Sequence, residues 1–295
     1  MNDTHEQSGP DFLQQHVGVL KSRMGAFYPG SHVVFRGHDL HVDLKDMSWP
    51  ELYLFGITGR RFSPEQLTLI NAIWVYTSYP DVRLWNNRVA ALAGSSRSTG
   101  NLGVAAALAV SEATIYGRGI DLRAITFLIN TLEKTTAGES LETAVRDELD
   151  EHRSIAGYGR PLINGDERNQ HILALAKSLG LDHGPHLTLA FAVETFLFAG
   201  RWRMKMNYGG IAAALCADIG LSPQEHYQAM FPAFLAGMQP CFIEAAEKTE
   251  GTLYPLSCAD ICYEGVTYRS WHGAHPKAPS DMPTDSTPAT PIDLP

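Results

Sequence analysis

The sequence predicts an all-α fold with a small β-hairpin near the N-terminus. Three observations carry this expectation. From Trp49 to about residue 248, apolar residues recur at helical spacing in one segment after another. Ser48-Trp-Pro-Glu51 and Ser63-Pro-Glu65 are helix starts, with a serine able to cap and a proline in the first turn. Residues 33–36 and 40–42 are short and alternating, which suits a strand pair turning at Gly37-His-Asp39.

Taken in order, residues 1–10 are polar and the hairpin follows. Pro50 fits the first turn of a helix that ends between Gly56 and Gly59. Ser63 caps a second helix, with Pro64 at its first position, running to about Tyr76. Residues 84–93 and 101–116 read as Ala-rich helices. The second of these is almost wholly apolar and is expected to lie buried within a larger bundle. Further helices are expected at about 121–135, 139–153, 167–179, 187–199, 208–219, 223–231 and 232–248. Residues 272–295 are rich in Pro, Ser, Thr and Asp and read as a disordered tail.

The chain has 295 residues, enough for one large domain or two smaller ones. Its hydrophobic content of 44% is that of a globular protein. The net charge of −9 argues against sequence-independent nucleic-acid binding, which needs basic patches that release counterions. No apolar run is long enough to span a bilayer, and no secretory signal is expected. The four cysteines lie in the last third without a CxxC pair, so reduced thiols and a cytoplasmic location are expected. No metal is expected: the twelve histidines are scattered, and no HExxH occurs. No GxSxG elbow supports a hydrolase triad.

Glycine-rich joints fall at 94–103, 117–120, 156–166 and 200–210, where backbone groups can face a ligand. Gly94–Gly103, with Arg97, reads either as an anion-holding helix start or as a flexible turn that lets helices approach. In Gly157–Arg168, Arg160 and Arg168 either converge on a ligand carboxylate or pair with Asp166 as a clamp. Arg201–Gly210 either offers cations to a phosphorylated cofactor or is a solvated helix start.

In order, these segments resemble the citrate synthase superfamily. Val33-Val-Phe-Arg-Gly-His-Asp-Leu40, Trp49-Pro-Glu-Leu-Tyr-Leu-Phe55, Gly59 and Ser63-Pro-Glu-Gln-Leu67 resemble its N-terminal run. Ala105–Gly117 resembles the helix leading to its catalytic His-Gly turn. Gly157-Tyr-Gly-Arg-Pro-Leu162 with Asp166-Glu-Arg168 resembles its Gly-x-Gly-His motif and following Asp-Pro-Arg. Met206-Asn-Tyr-Gly-Gly-Ile211 resembles the turn that carries its catalytic Asp. The match covers about residues 30–270, and the short length resembles the members termed citryl-CoA lyase.

The resemblance implies a two-domain helical homodimer: an N-terminal extension at 1–30, a large domain at 31–116 and 206–271, and a small domain at 117–205. It implies a CoA thioester and a 2-oxo acid or tricarboxylate as ligands, and an enzyme that makes or breaks a carbon–carbon bond. It places Tyr116 and Arg160 at the positions of the family's two catalytic histidines, and Met206, or Asn207 with a shift of one, at that of its Asp. Arg168 and, more weakly, Arg269 match substrate-binding arginines. Arg203, Lys205 and Asn207 are the cofactor-binding candidates.

Tyr116 could donate a hydrogen bond to a thioester or enolate oxygen, and Arg160 could polarise a carbonyl. Met206 accepts no proton, so Glu112, Asp166 and Glu194 are the candidate bases. With His, His and Asp all replaced, a non-catalytic relative that binds a CoA ester or polycarboxylate is the alternative. Both readings require the turns at 116–119, 157–168 and 206–210 to meet around one ligand.

Overall fold

The computed structural model describes residues 9–18, 20–114, 117–160, 165–252, 262–267 and 269. By chain contacts it divides into two units, Met1–Leu253 and Tyr254–Pro295. Every element below lies in the first unit.

After a short helix α1 (Pro10–Gln15), three strands form a small antiparallel sheet in the order β1-β2-β3. These are β1 (Gly25–Tyr28), β2 (His32–Phe35) and β3 (His38–Asp39). The expected hairpin is therefore corrected in two ways. β2 pairs over its full length with β1, Gly25 opposite Phe35 and Tyr28 opposite His32, inside what was read as an N-terminal extension. On the other side the pairing is confined to His38 and Asp39, with a last bond from Leu40 N–H to the Val33 carbonyl, and residues 41–42 turn away. The cause is local: the Asp39 carboxylate accepts the backbone N–H groups of His41 and Val42 and curls the chain into a turn.

The helices follow: α2 (Trp49–Thr58), α3 (Pro64–Thr77), α4 (Trp85–Ser95), α5 (Gly100–Val110), α6 (Arg118–Thr136), α7 (Leu141–His152), α8 (Asn169–Ser178), α9 (Pro185–Ala199), α10 (Tyr208–Asp218), α11 (Pro223–Ala229) and α12 (Pro232–Glu247). Ser48 and Ser63 cap α2 and α3 as their sequence implies, and Ser63 forms a full capping box with Gln66. α2 ends at Gly59, whose positive φ of 71° suits a residue without Cβ.

Helix α10 is the core of the unit. From Gly210 to Ala217 every residue is buried, and the helix packs on α6 and α9. The full burial expected for α5 is not found. α5 stops at Val110, packs on α4 and α12 through Gly103, Val104 and Ala107, and leaves Leu102 and Val110 exposed. Small residues explain the close packing: a Cβ on Gly103 would stand 2.8 Å from the Ala93 Cβ.

Candidate functional site

The site is built where α10 begins. Asn207 is the N-cap, and its Oδ1 accepts the N–H of Gly210 at 3.2 Å. The residues before it pair with the 157–159 turn. Asn207 N–H donates to the Gly157 carbonyl at 2.9 Å, Gly159 N–H donates to Lys205 O at 2.8 Å, and Tyr158 bridges Met206. The Asn207 amide also donates to Gly159 O at 2.9 Å. Gly157 and Gly159 have φ of 88° and 82°, a left-handed backbone that favours glycine. A Cβ on Gly157 would lie 2.7 Å from the Gly210 Cα, so this corner closes only between glycines.

A cleft of about 480 Å³ opens beside this corner. Gly117, which caps α6, Gly157–Gly159 and Asn207–Gly209 all border it, so described parts of the three expected turns meet there. A second cleft of about 430 Å³ shares Gly159 and Asn207 with the first and is bordered by Arg160, Arg203 and Lys205.

The candidate residues fall as follows. Tyr116 lies outside the described residues. The Arg160 guanidinium is held by both carboxylate oxygens of Glu167 and by the Gly165 carbonyl. Hydrogen bonding from Arg160 holds the Glu167 carboxyl at about 2, and Tyr79 donates to the same carboxylate at 2.8 Å.

Arg168 makes a two-pronged contact with Asp166, both bonds 2.8 Å, and lies over the rings of Tyr208 and Tyr79. Asp166 also accepts the Tyr208 N–H at 3.0 Å. Burial pushes the Asp166 carboxyl up, but the bonds from Arg168 and Tyr208 outweigh it and leave the value lowered. Of the two readings of Gly157–Arg168, the clamp is the one seen here.

Arg203 and Lys205 lie near the Phe198 ring and meet no carboxylate among the described residues. Arg203 adopts a left-handed φ of 53°, unusual for a residue with a Cβ. Arg269 is exposed and belongs to the second unit, Tyr254–Pro295.

The candidate bases are engaged elsewhere. Glu112 bonds to Arg118 and to the Tyr227 hydroxyl. Glu194 accepts the Met206 N–H at 2.8 Å.

The residue that sequence reasoning missed is Asp121, in the first turn of α6, which borders the larger cleft. Its Oδ2 is sealed from solvent without a hydrogen-bond partner among the described residues. Burial pushes its carboxyl up to about 7, while Arg118 and Arg168 pull it down. An acidic residue just after a glycine-bounded turn was the available signal, but the sequence does not reveal burial.

Among the described residues no group of three or more His, Cys, Asp or Glu side chains suits a metal ion, and no helix is long and apolar enough to cross a membrane.

No family model and no curated protein matches the sequence. Solved structures do. The citryl-CoA lyase of Hydrogenobacter thermophilus superposes with a TM-score of 0.73 at 19% identity, covering 85% of this chain and 97% of that one. A citrate synthase of Thermoplasma acidophilum, in complex with carboxymethyl coenzyme A and oxaloacetate, gives 0.60 at 20% identity, over 76% of this chain and 58% of that one. A Methanosaeta concilii ATP citrate lyase in complex with (3S)-citryl-CoA gives 0.66 at 14% identity, over 88% and 45%. The chain thus spans nearly all of the first protein and about half of each of the others. The helical architecture, the order of its segments and these superpositions agree: the chain has a citrate synthase-like helical fold.

Proposed function

We propose that the chain is a CoA-thioester enzyme that makes or breaks a carbon–carbon bond, in the manner of a citryl-CoA lyase. The observation that carries this reading is the meeting of Gly117, Gly157–Gly159 and Asn207–Gly209 around one cleft. The likeness over 97% of a citryl-CoA lyase supports it.

In this reading Tyr116 donates a hydrogen bond to the thioester or enolate oxygen. Arg160 polarises the oxo-acid carbonyl or holds a carboxylate, exchanging Glu167 for the substrate. Arg168 serves a remaining substrate carboxylate, by way of a similar exchange with Asp166. Arg203 and Lys205, which meet no carboxylate among the described residues, hold the phosphates of CoA, with Asn207 between them and the larger cleft. The division into a large and a small domain, closing over the ligands, and the homodimer belong to the same proposal.

The test follows free thiol and oxo acid with citryl-CoA, and separately with acetyl-CoA plus oxaloacetate. Turnover that falls in Tyr116→Phe and Arg160→Ala supports the enzyme; a wild type inert in both assays refutes it.

The second reading is a non-catalytic relative that binds a CoA ester or polycarboxylate. It is favoured by Met206, which offers no proton acceptor, and by the pairing of Arg160 and Arg168 with carboxylates. Its signature is a melting point raised by CoA without turnover, since a ligand that binds only the native state stabilises it.

A further inference from the structure

We propose that Asp121 is the acid–base residue of the larger cleft: its carboxylate takes the proton of a citryl thioester's tertiary hydroxyl and delivers one to the departing enolate carbon. This rests on the CoA-thioester reading above and names the proton carrier that the sequence does not supply.

Geometry carries the assignment. Asp121 borders the cleft together with the Gly157–Gly159 and Asn207–Gly209 turns. Gly209 carries no side chain to cover it: a Cβ built there would stand 3.8 Å from Asp121 Oδ1. Oδ2 lacks a hydrogen-bond partner among the described residues. A buried polar oxygen left in that state is costly in a purely structural residue.

The arginines that act on Asp121 do not make it a structural ion pair. Arg118 donates to Glu112 and to the Tyr227 carbonyl, and Arg168 donates to Asp166. They bias the carboxyl without occupying it. Burial works against them, so the group sits near neutrality, where one carboxyl can both accept and return a proton.

Burial holds the cleft-lining Tyr158 and Tyr208 hydroxyls protonated, and several other titratable groups on the neighbouring helices do not compete. Cys216 on α10 is held as a thiol, its value pushed up to about 12 by burial, and His226 on α11 is held neutral, its value pushed down to about 4. Arg123, on the same helix and on the cleft wall, donates to Glu148 and to the Ser154 carbonyl. Glu112 and Glu194 do not border this cleft and are bonded to other groups.

The step balances without a co-reactant. As the hydroxyl proton passes to Asp121, the O–H electron pair becomes the second bond of the new carbonyl. The adjacent carbon–carbon bond breaks, and its pair moves into the thioester enolate. The enolate carbon then takes a proton from Asp121, leaving an acetyl thioester, an oxo acid and the carboxylate restored.

The experiment uses the full chain, with Asp121→Asn and Asp121→Glu as variants. Citryl-CoA cleavage, deuterium uptake into the methyl group of acetyl-CoA, and the melting shift caused by CoA are measured across pH 5–9, about two decades either side of neutrality. Asp121→Asn is expected to lose about 10²–10⁴-fold in kcat and in deuterium uptake. Its CoA melting shift should be unchanged, and Asp121→Glu should recover part of the rate. The limb of the kcat profile that bends near neutrality in the wild type should vanish from the residual activity of Asp121→Asn.

An active wild type beside an Asp121→Asn variant within a few-fold of it overturns this inference and leaves the CoA-thioester reading standing. A wild type inert toward both substrates overturns both. Should Asp121→Asn fail to fold, a wild-type profile without a limb near neutrality overturns the assignment by itself.

Discussion

Asp166 shows how much one carboxylate can organise. It ties Arg168 to the first residue of α10, and its side chain is almost fully buried. Asp166→Asn would leave the Arg168 charge without its partner, which costs about 3–5 kcal/mol in a buried setting. The loss should appear as a lower urea midpoint at pH 7. The folded carboxyl sits below its ordinary value, so its stabilisation is full above that value and is lost as pH falls through the folded one. Wild type and Asp166→Asn should therefore converge in stability under strongly acid conditions.

Two other residues set opposing pH responses. The Asp121 carboxyl is raised from 3.8 to about 7, so its contribution is full below 3.8 and is lost as pH rises through about 7. The His226 imidazole is lowered from 6.5 to about 4, so its contribution is full above 6.5 and is lost as pH falls through about 4. Between these limits the two offset one another. Removing the first in Asp121→Asn should expose the second: the melting temperature of that variant should drop more steeply than that of wild type on acidification from pH 6.5 to 4. Parallel curves would contradict the assignment of either group.

At the scale of elements, the corner between α10 and the 157–159 turn depends on one amide and two glycines. Asn207→Ala removes the cap and the bond to the Gly159 carbonyl, and should cost about 1–2 kcal/mol. Gly210→Ala should cost more, because the added Cβ would sit 2.5 Å from the Gly157 carbonyl oxygen, and backbone on both sides leaves little room to yield. Chemical denaturation of the two variants checks the order.

Most helices were legible for local reasons. Serine caps and first-turn prolines announce α2 and α3, and apolar spacing marks most of the others to within a few residues, though α5 ends at Val110 rather than near residue 116. What stayed hidden depends on distant partners. β1 is exposed throughout and has no alternating pattern, so only its pairing with β2 identifies it. The apolar content of α5 suggested burial, yet its small residues serve close packing on one side only. At the site, Gly157, Gly159 and Asn207 were legible as turn residues. The orphaned oxygen of Asp121 was not, because the start of α10 and the 157–159 turn that border its cleft come from far along the chain.

At the scale of the molecule, the exposed apolar face of α5 gives the proposed homodimer a place to form. Leu102, Ala105, Ala106, Ala109 and Val110 are all exposed along one short helix. Leu102→Asp should leave the monomer folded, since that side chain is 66% exposed, and should shift the mass in solution from dimer to monomer. Light scattering after gel filtration reads the outcome, and an unchanged mass removes α5 from the interface. The charge layout adds a second expectation. In a chain of net charge −9, Arg203 and Lys205 make a local positive edge on the smaller cleft. CoA should therefore bind more weakly as salt rises, and Arg203→Ala should flatten that dependence.

The Asn207 amide borders both clefts, the smaller lined by Arg160, Arg203 and Lys205 and the larger by the Asp121 carboxyl. A molecule with an anionic head in the one and a reactive tail in the other would pass Asn207, and the span between its two ends would be gauged against a side chain bonded to backbone through both its amide atoms. Lengthening or trimming such a molecule by a few atoms would then spoil its fit at one end while leaving the grip at the other intact.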